Sequence, residues 1–379
     1  MKLIHLSDLH LGKRVNDFSM LEEQEAIIDK ILGIIDNESP DAVMIAGDVY
    51  DKSVPSAEAV QLFDRFLLRL AERELSVFVI SGNHDSPERI AFGSGIMNAR
   101  KIYLSPVYNG AVTPITLTDS DGQVNFYMLP FIKPAHVRRF FENEEIVSYT
   151  DAVRVAVSAM NIDESERNVL ITHQFVSGSE RTESEEVSVG GTDNVDLDAI
   201  SGFDYVALGH IHRAQSCGGD TVRYCGTPLK YSFSEINDEK SVSIIELGAK
   251  NEPPVIRTAP LTPIHEMSEL RGKFSELYDP TFYSSTPKRA DYLRIVLTDE
   301  DDVPDAIGRL RAVYPNLMTL SYDNARTAKN AIVPGDSEAE TKSPYQIFSE
   351  FFELQNNAPM SDKQSKYIRS ILEETEDRI

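Results

Sequence analysis

The sequence predicts an α/β fold in which helices cover a mostly parallel sheet, and two observations lead to this prediction. Five short apolar runs each end in a cluster of polar residues, and helical patterns separate the early runs. Apolar runs of about four to eight residues bounded by Gly and Asp are typical of strands buried on both faces. Alternation of such strands with helices is typical of parallel sheets. The five segments are residues 2–10, 41–51, 75–85, 168–178 and 204–214.

The helical patterns lie in residues 17–36 and 56–74. Their apolar residues recur at helical spacing, and these are Phe18, Leu21, Ile27, Ile28, Ile31, Leu32 and Ile35 in the first stretch and Val60, Leu62, Phe63, Phe66, Leu67 and Leu70 in the second. Ligands of open α/β sheets bind beyond the carboxyl ends of the strands. The polar clusters of all five segments fall at that edge, so we expect them to form one site.

The last third of the chain has a different organisation. Residues 221–260 contain short strand patterns, and a compact α+β unit follows, with helices predicted at 267–277 and 303–313 and strands at 291–298 and 316–322. Residues 324–342 have the composition of a flexible linker. We therefore expect a main domain at 1–261, a small α+β domain at 262–323, the linker at 324–342 and a helical segment at 343–379.

Two capping boxes predict a pair of helices in the tail. Ser343 and Gln346 form the first box, with Pro344 at the first helical position, and Ser361 and Gln364 form the second. Apolar residues follow at helical spacing: Ile347, Phe348, Phe351, Phe352, Tyr367, Ile368, Ile371 and Leu372. These faces must be buried on the body of the protein or on a partner. The preceding linker favours a partner.

Composition sets further bounds. The 379 residues contain no apolar run of the roughly 18 residues that span a bilayer, and the N-terminus lacks the unbroken apolar stretch of a signal peptide. We expect a cytoplasmic protein with Cys217 and Cys225 as reduced thiols. The net charge of −24, from 37 basic and 61 acidic residues, argues by itself against a nucleic-acid partner.

The polar residues at the strand ends have the chemistry of metal ligands. Each of the five segments supplies at least one of them, and together they are Asp8, His10, Asp48, Asn83, His173, His210 and His212. Mixed Asp, Asn and His ligands suit Mn²⁺, Fe²⁺ or Zn²⁺ better than Mg²⁺ or Ca²⁺. Seven candidates are too many for one ion, so we expect two ions, which can together activate water and stabilise a leaving oxygen.

The motifs DxH, GDxxD, GNHD, a single His and GHxH, in this order, resemble those of the calcineurin-type metallophosphoesterases. The stretches DLHLGKR, GDVYD, SGNHDSPER, YVALGHIHRAQ and YCGTPLKYSFSE are most similar to a bacterial branch of nuclease subunits, over about the first 260 residues. The resemblance implies an α/β fold of the two-sheet αββα sandwich type, with a small α+β capping domain that binds DNA and a C-terminal helical pair.

The resemblance also implies a role for each site residue. Asp8, His10 and His212 would hold the first ion, and Asn83, His173 and His210 the second. Asp48 would bridge both ions. His84 would contact the scissile phosphate and stabilise the transition state or protonate the leaving oxygen. Asp51 stands where other branches place a histidine, and we expect it to orient His84.

The activity implied is that of a DNA nuclease subunit that requires two Mn²⁺ ions, with Mg²⁺, Fe²⁺ or Zn²⁺ as alternatives. Such an enzyme trims double-stranded ends and cuts single strands and hairpins in DNA replication, repair and recombination. The helices at 343–375 would dock on a coiled-coil ATPase. A homodimer formed by helix 56–74 and a helix near 87–99 would make the complex a heterotetramer.

Two other functions use the same residues. A small-molecule phosphodiesterase would have the same site, although such enzymes rarely need a second domain and a helical tail. A non-catalytic scaffold that tethers DNA ends would have no use for His84. Among the other polar residues, we expect His5 to be buried and hydrogen-bonded. Six cations near the site are either phosphate contacts or ordinary solvated charges: Lys13, Arg14, Lys52, Arg89, Arg213 and Lys230.

Overall fold

The computed structural model describes residues 1–180, 182, 185, 193–324, 345–346, 348–349, 351–352 and 359–376. The chain forms two compact units, Met1–Glu266 and Met267–Ile379. The second unit begins five residues after the predicted boundary (267 against 262). Most of the predicted linker, residues 325–342, lies outside the described residues, and so do residues 343–344 of the first predicted tail helix. The finer division of the C-terminal unit therefore stays a prediction.

Two sheets of six strands dominate the first unit, and the five strands that end at the polar clusters are labelled β1 to β5 here. The first sheet has the spatial order Val255–Pro260, Ser241–Glu246, Lys2–Leu6 (β1), Ala42–Ala46 (β2), Ser76–Ile80 (β3) and Ile102–Leu104. β1, β2, β3 and the Ile102–Leu104 strand run parallel, whereas the two strands on the other side are antiparallel to their neighbours.

The second sheet has the spatial order Gln215–Ser216, Val222–Tyr224, Tyr205–Gly209 (β5), Arg167–His173 (β4), Gly122–Leu129 and Ile115–Asp119. Its four central strands are parallel, and an antiparallel strand closes each edge. Two short ladders lie outside the large sheets: Arg14–Val15 with Phe18–Ser19, and Phe175–Val176 with Asn194–Val195.

The core lies between the two sheets. Phe78 of β3 stacks on Phe126 of the second sheet, with ring centroids 4.4 Å apart. Buried side chains from both sheets join this layer, among them Leu3, Met44, Val169, Ile171 and Ala207. Residues that alternate with them, such as Val43 and Val77, are also fully buried, so the outer face of the first sheet is covered as well. This pattern agrees with the predicted αββα sandwich.

Helices supply the outer layers. Leu21–Glu38 (α1) and Ala57–Ala71 (α2) connect β1 to β2 and β2 to β3. Because connections between parallel strands are right-handed, both helices are expected on the same face of the first sheet. Ser56 caps α2 by accepting a hydrogen bond from the Ala59 amide at 3.3 Å. On the second sheet, Tyr149–Ser158 buries Val153 and Ala156 against Leu170 and Val206. The shorter helices are Pro87–Ile90, Ser94–Met97 and Pro134–Arg138, with 3₁₀ turns at Asn98–Arg100, Leu197–Ile200 and Phe233–Glu235.

In the second unit, three parallel strands, Met267–Gly272, Tyr292–Leu297 and Leu317–Tyr322, form a sheet. Its helices are Phe274–Leu277, Pro280–Ser285 and Ala306–Arg311, and a 3₁₀ turn spans Pro287–Ala290. The prediction of a helix at 267–277 is wrong for its first half, because Met267–Gly272 is a strand. Met267 and Leu270 have helical spacing with Phe274, but both are buried residues of a strand that pairs with Tyr292–Leu297.

The described part of the tail contains the helix Asp362–Glu376. Its predicted capping box is confirmed, because the Ser361 amide donates to Gln364 Oε1 at 2.9 Å and the Gln364 amide donates to Ser361 Oγ at 3.4 Å. Of the helices that the structure describes, none is both long and apolar enough to cross a bilayer.

Candidate metal centre

The loops that follow β1 to β5 meet at one edge of the sandwich. Within the first sheet, the amide of Asp8 donates to the Gly47 carbonyl at 3.0 Å, and the amide of His10 donates to the Asp48 carbonyl at 2.9 Å. Across the two sheets, the amide of His210 donates to the Asp8 carboxylate at 3.1 Å. These contacts bring together the site residues predicted from distant segments.

Two glycines allow the loops to approach so closely. A Cβ atom at Gly209 would lie 1.9 Å from the carbonyl oxygen of Ala46, and one at Gly82 would lie 2.1 Å from Oδ1 of Asp48. Both distances are far inside van der Waals contact, so only glycine fits at either position. The packing of the loops therefore requires the glycines of the GHxH and GNHD motifs.

Four of the predicted ligands have a left-handed backbone conformation, which residues other than glycine rarely adopt. Their φ values are 53° for Asp8, 44° for His10, 49° for Asp48 and 103° for His210. Conformations of this kind cost on the order of 1–3 kcal/mol each and concentrate at functional sites. The surrounding hydrogen bonds hold these four residues in place.

Asp8, His10 and His212 form the first cluster. Their ligand atoms lie within 4.8 Å of one another, so one metal ion could bind all three. Nε2 of His10 lies 3.2 Å from Nε2 of His212. All three side chains are buried, and burial lowers the pKa of His10 well below its ordinary value. A neutral imidazole offers a lone pair to a metal ion, so this cluster suits a cation.

Asn83, His173 and His210 form the second cluster. Nδ1 of His173 lies 2.9 Å from the Ala46 carbonyl, which can only accept, so this nitrogen carries a proton. Nε2 of His173 faces Asn83 Oδ1 at 2.9 Å and Asp48 Oδ2 at 3.3 Å. Asn83 Oδ1 also lies 2.9 Å from Nδ1 of His210. Oxygen and nitrogen acceptors converge here, and a divalent ion fits this donor set.

Asp48 lies between the two clusters. Its Oδ2 is 3.3 Å from Nε2 of His173 and 3.7 Å from Nε2 of His10. Burial opposes ionisation of Asp48, but His173, His10 and His84 outweigh burial and lower its pKa. Burial likewise disfavours the charged form of His173, but the Asp48 carboxylate prevails and raises the pKa of His173 to about 9. In the metal-free protein a proton therefore supplies the positive charge that a metal ion would bring.

His84 lies at the solvent side of the clusters. Its side chain is 18% exposed, and its Nε2 is 4.0 Å from Asp48 Oδ2. Its amide donates to Asp48 Oδ1 at 2.9 Å. With His10 and Asp48 it also forms a group that could hold an ion. A substrate that reaches the clusters from solvent can contact this imidazole.

Asp51, predicted to orient His84, contacts it through the main chain. Nδ1 of His84 lies 3.0 Å from the main-chain carbonyl oxygen of Asp51, so the carboxylate is not the group that contacts His84. The carboxylate instead accepts from Lys13 Nζ at 2.7 Å and lies 3.8 Å from Nδ1 of His10. Any residue type supplies a main-chain carbonyl, so the sequence alone does not reveal which atom of Asp51 faces His84.

Gln24 and Tyr231, which the sequence analysis missed, hold the loop that carries His10. Nε2 of Gln24 donates to the His10 carbonyl at 2.7 Å and to the Tyr231 hydroxyl at 3.0 Å, and its Oε1 accepts from the Gly12 amide at 2.9 Å. The Tyr231 hydroxyl donates to the Leu9 carbonyl at 2.7 Å. The sequence does carry a signal for Gln24, because it lies among apolar residues on the buried face of α1.

Asp85, the last residue of GNHD, ties the loops after β2 and β3 together. Its buried carboxylate accepts from the amides of Val49 at 3.1 Å, Tyr50 at 2.9 Å and Gly82 at 2.9 Å. Burial and the charge of Asp48 raise the pKa of Asp85 to about 7. Asp85 belongs to the GNHD motif, but the sequence alone assigns it no role.

Three of the six cations near the site are paired with carboxylates. Lys13 pairs with Asp51, Lys230 pairs with Glu266 at 2.8 Å, and Arg213 pairs with Asp238 and Glu180 at 3.0 and 3.2 Å. Lys52 and Arg89 are exposed, and Arg14 donates to the carbonyl of Asp17. His5 is fully buried, and its Nδ1 lies 2.9 Å from the hydroxyl of Tyr205, which confirms its predicted structural role.

Two family models match the chain. The model of the calcineurin-like phosphoesterases matches residues 1–214, which is more than half of the chain. The model described as the type 5 capsule protein repressor C-terminal domain matches residues 263–356.

The chain is also similar to named proteins along its length. The SbcD subunit of nuclease SbcCD from Staphylococcus epidermidis is 30% identical over 380 residues, which cover 98% of each chain. The protein of the same name from Staphylococcus saprophyticus is 31% identical over 377 residues, again 98% of each chain. Among solved structures, a dimetal phosphatase from Danio rerio covers 68% of this chain and 95% of its own, at 11% identity and a TM-score of 0.40.

Proposed function

The chain belongs to the calcineurin-like phosphoesterase family, and from this premise we propose that it is a metal-dependent DNA nuclease subunit of the SbcCD type. It is a hydrolase of phosphodiester bonds. One observation carries the proposal more than any other: seven Asp, Asn and His side chains from five loops converge with their acceptor atoms on one edge of the sandwich. The relatives that match 98% of the chain carry the name of this nuclease subunit.

The ligand assignment follows the two clusters. Asp8, His10 and His212 would hold one ion, and Asn83, His173 and His210 the other. Asp48, which lies within 4 Å of a histidine from each cluster, would serve both ions. Divalent ions bound there supply charge to a phosphate and activate water. The mixed oxygen and nitrogen ligands favour two Mn²⁺, Fe²⁺ or Zn²⁺ ions over Mg²⁺.

His84 would act on the phosphodiester itself. Its Nδ1 lies near the Asp51 carbonyl, so the proton on that nitrogen is fixed and Nε2 points into the site. In the protonated state Nε2 can donate to a phosphate oxygen or to the leaving oxygen. Its partial exposure suits a group that meets substrate. The main-chain carbonyl of Asp51 orients it.

The substrate we propose is double-stranded DNA ends, hairpins and single strands. With a net charge of −24, the chain itself offers little general attraction for a phosphate backbone. Two divalent ions bring four positive charges to the point of cleavage, and a partner ATPase would supply further basic surface. A DNA substrate and two unpaired thiols, Cys217 and Cys225, fit a cytoplasmic protein.

The partner we propose is an SbcC-like coiled-coil ATPase that binds the tail helices. Phe351 is 58% exposed and Tyr367 is 67% exposed. Apolar side chains on an amphipathic helix are normally covered. We further propose a homodimer, and hence a heterotetramer with the ATPase. Phe92 and Ile96, which are 83% and 82% exposed, would lie in the dimer interface with Leu68 of α2.

The experiment that tests this function is cleavage of a labelled DNA hairpin by the purified protein with Mn²⁺. His84→Ala is compared with His136→Ala, a matched change at a histidine outside the five loops. We expect cleavage by the wild type and by His136→Ala, and its loss in His84→Ala. A wild type that binds two ions and hydrolyses a small chromogenic diester, but cleaves no DNA even with the ATPase, would refute the nuclease assignment.

A further inference from the structure

His212 has a second ring nitrogen that the ion site does not use. Its Nε2 faces His10, whereas its Nδ1 lies 3.8 Å from Oε1 of Glu235, which is an ion-pair distance. Glu235 is fully buried in the 3₁₀ turn Phe233–Glu235. The imidazole of His212 therefore lies between the ion site on one side and a buried carboxylate on the other.

Lys240 fixes the position of this carboxylate. Its Nζ donates to Oε2 of Glu235 at 2.6 Å, to the main-chain carbonyl of His212 at 2.9 Å and to Oγ1 of Thr227 at 2.8 Å. The lysine is only 5% exposed at its side chain. All three protons of the ammonium group thus have acceptors, and one of them links the pair to the backbone of His212 itself.

A buried ion pair of this kind adds little stability by itself, because the cost of desolvating both charges offsets their attraction. The geometry around His212 indicates that this ion pair serves to position the histidine. A carboxylate beside one nitrogen of a metal-binding histidine keeps the proton on that nitrogen and makes the other one a better ligand.

The same arrangement occurs at His10. Its Nδ1 lies 3.8 Å from Oδ1 of Asp51, and that carboxylate is held by Lys13 Nζ at 2.7 Å. Both histidines of the first cluster thus face a carboxylate that a lysine holds. In the second cluster the corresponding nitrogen of His173 faces the neutral carbonyl of Ala46.

We propose that Glu235, held by Lys240, is a positioning residue for the first ion: it keeps the proton of His212 on Nδ1, so that the lone pair of Nε2 can bind the ion. The inference rests on the two-ion site of the proposed function. In this arrangement the histidine ligands of the first ion each have a carboxylate beside the second ring nitrogen, whereas His173 of the second cluster has a neutral carbonyl there.

The test is an isothermal calorimetric titration of the metal-free full-length protein with Mn²⁺. Glu235→Gln is compared with Glu239→Gln, which removes the same charge from an exposed residue of the same loop. We expect two binding events in the wild type. In Glu235→Gln one of them should weaken about 10- to 100-fold while the other is unchanged, and Glu239→Gln should behave as the wild type.

Two further variants separate positioning from folding. Glu235→Gln leaves Lys240 buried without its carboxylate, so Glu235→Gln/Lys240→Met removes both charges together. Without metal, the double variant should have the melting temperature of the wild type. It should still bind one of the two ions more weakly than the wild type does. In a protein that already carries His212→Gln, Glu235→Gln should not change the Mn²⁺ affinity further, because Glu235 acts through that histidine.

The outcomes are distinct. Wild-type affinity for both ions in the double variant would overturn the inference and leave the proposed function intact, as would equal weakening of both binding events. A wild type that binds fewer than two ions would overturn the two-ion site itself.

Discussion

The Nε2 atoms of His10 and His212 lie 3.2 Å apart, although 202 residues separate the two histidines in the chain. The two side chains are 1% and 3% exposed, so water does not solvate these nitrogens. Two lone pairs at this distance repel unless a proton or a metal ion lies between them. A proton on either Nε2 makes this contact a hydrogen bond in the metal-free protein, and a metal ion bound by both nitrogens would take the place of that proton.

We therefore expect Mn²⁺ to stabilise the protein. An ion at 100 times its dissociation constant adds about 2.7 kcal/mol per site, and 1 kcal/mol raises the melting temperature of a domain of this size by roughly 2–4 °C. Differential scanning calorimetry with and without Mn²⁺ measures the shift. His212→Gln should lose about half of it, and an unchanged melting temperature in the wild type would contradict the ion site.

Asp51→Asn should leave His84 in place, because the main-chain carbonyl contacts Nδ1 of His84. We expect hydrolysis of a chromogenic diester at saturating Mn²⁺ to fall by less than about tenfold in Asp51→Asn and by about 10²–10⁴-fold in His84→Ala. Equal losses in the two variants would mean that the Asp51 carboxylate takes part in the reaction.

His5 should make stability depend on pH. Burial lowers its pKa to about 3 from an ordinary value of 6.5, so the folded protein keeps it neutral while the unfolded chain takes up a proton below pH 6.5. Its contribution is complete above that pH and is lost as the pH falls towards 3. Between pH 7 and pH 5 the loss is about 2 kcal/mol.

Urea unfolding of the metal-free protein at both pH values measures this effect. In His5→Asn the amide places a polar atom close to the position of the His5 Nδ1, beside the Tyr205 hydroxyl. The asparagine side chain does not titrate. The free energy of unfolding of the variant should fall about 2 kcal/mol less between pH 7 and pH 5 than that of the wild type. Identical falls would show that His5 is not the group responsible.

The sequence predicts the architecture best where local pattern and burial agree. The strands that lead to Asp8, Asp48, Asn83, His173 and His210 are mostly apolar, in agreement with the burial of both of their faces. Their carboxyl ends share one edge, so the sequence alone indicates that these side chains lie close together. The capping box at Ser361 is equally local and equally predictable.

Features that depend on tertiary pairing escape the sequence. Met267 and Leu270 fit a helix by spacing, but pairing with a distant strand makes them part of a sheet. Glu235 and Lys240 lie in a loop without periodicity, and nothing local indicates that they face His212. The contact between Asp51 and His84 runs through the main chain, which side-chain chemistry does not reveal.

Arg167 should be a main determinant of stability without affecting the site. It is 2% exposed and donates to the carbonyls of Gly248 and Gly122 at 2.9 Å and to the carboxylate of Asp119 at 3.1 Å. Arg167→Met removes the donor to the partly buried Asp119 carboxylate and to both carbonyls, and the loss of a hydrogen bond to a charged group costs about 1.5–3 kcal/mol.

The matched control is Arg154→Met, because Arg154 is 45% exposed and pairs with an exposed Asp198. That exposed pair should contribute less than about 1 kcal/mol. Urea unfolding compares the two variants. Arg167 begins β4 and His173 ends it, so hydrolysis by folded Arg167→Met at low temperature should match the wild type. A loss of activity without a loss of stability would mean that the start of β4 communicates with the ion site by another route.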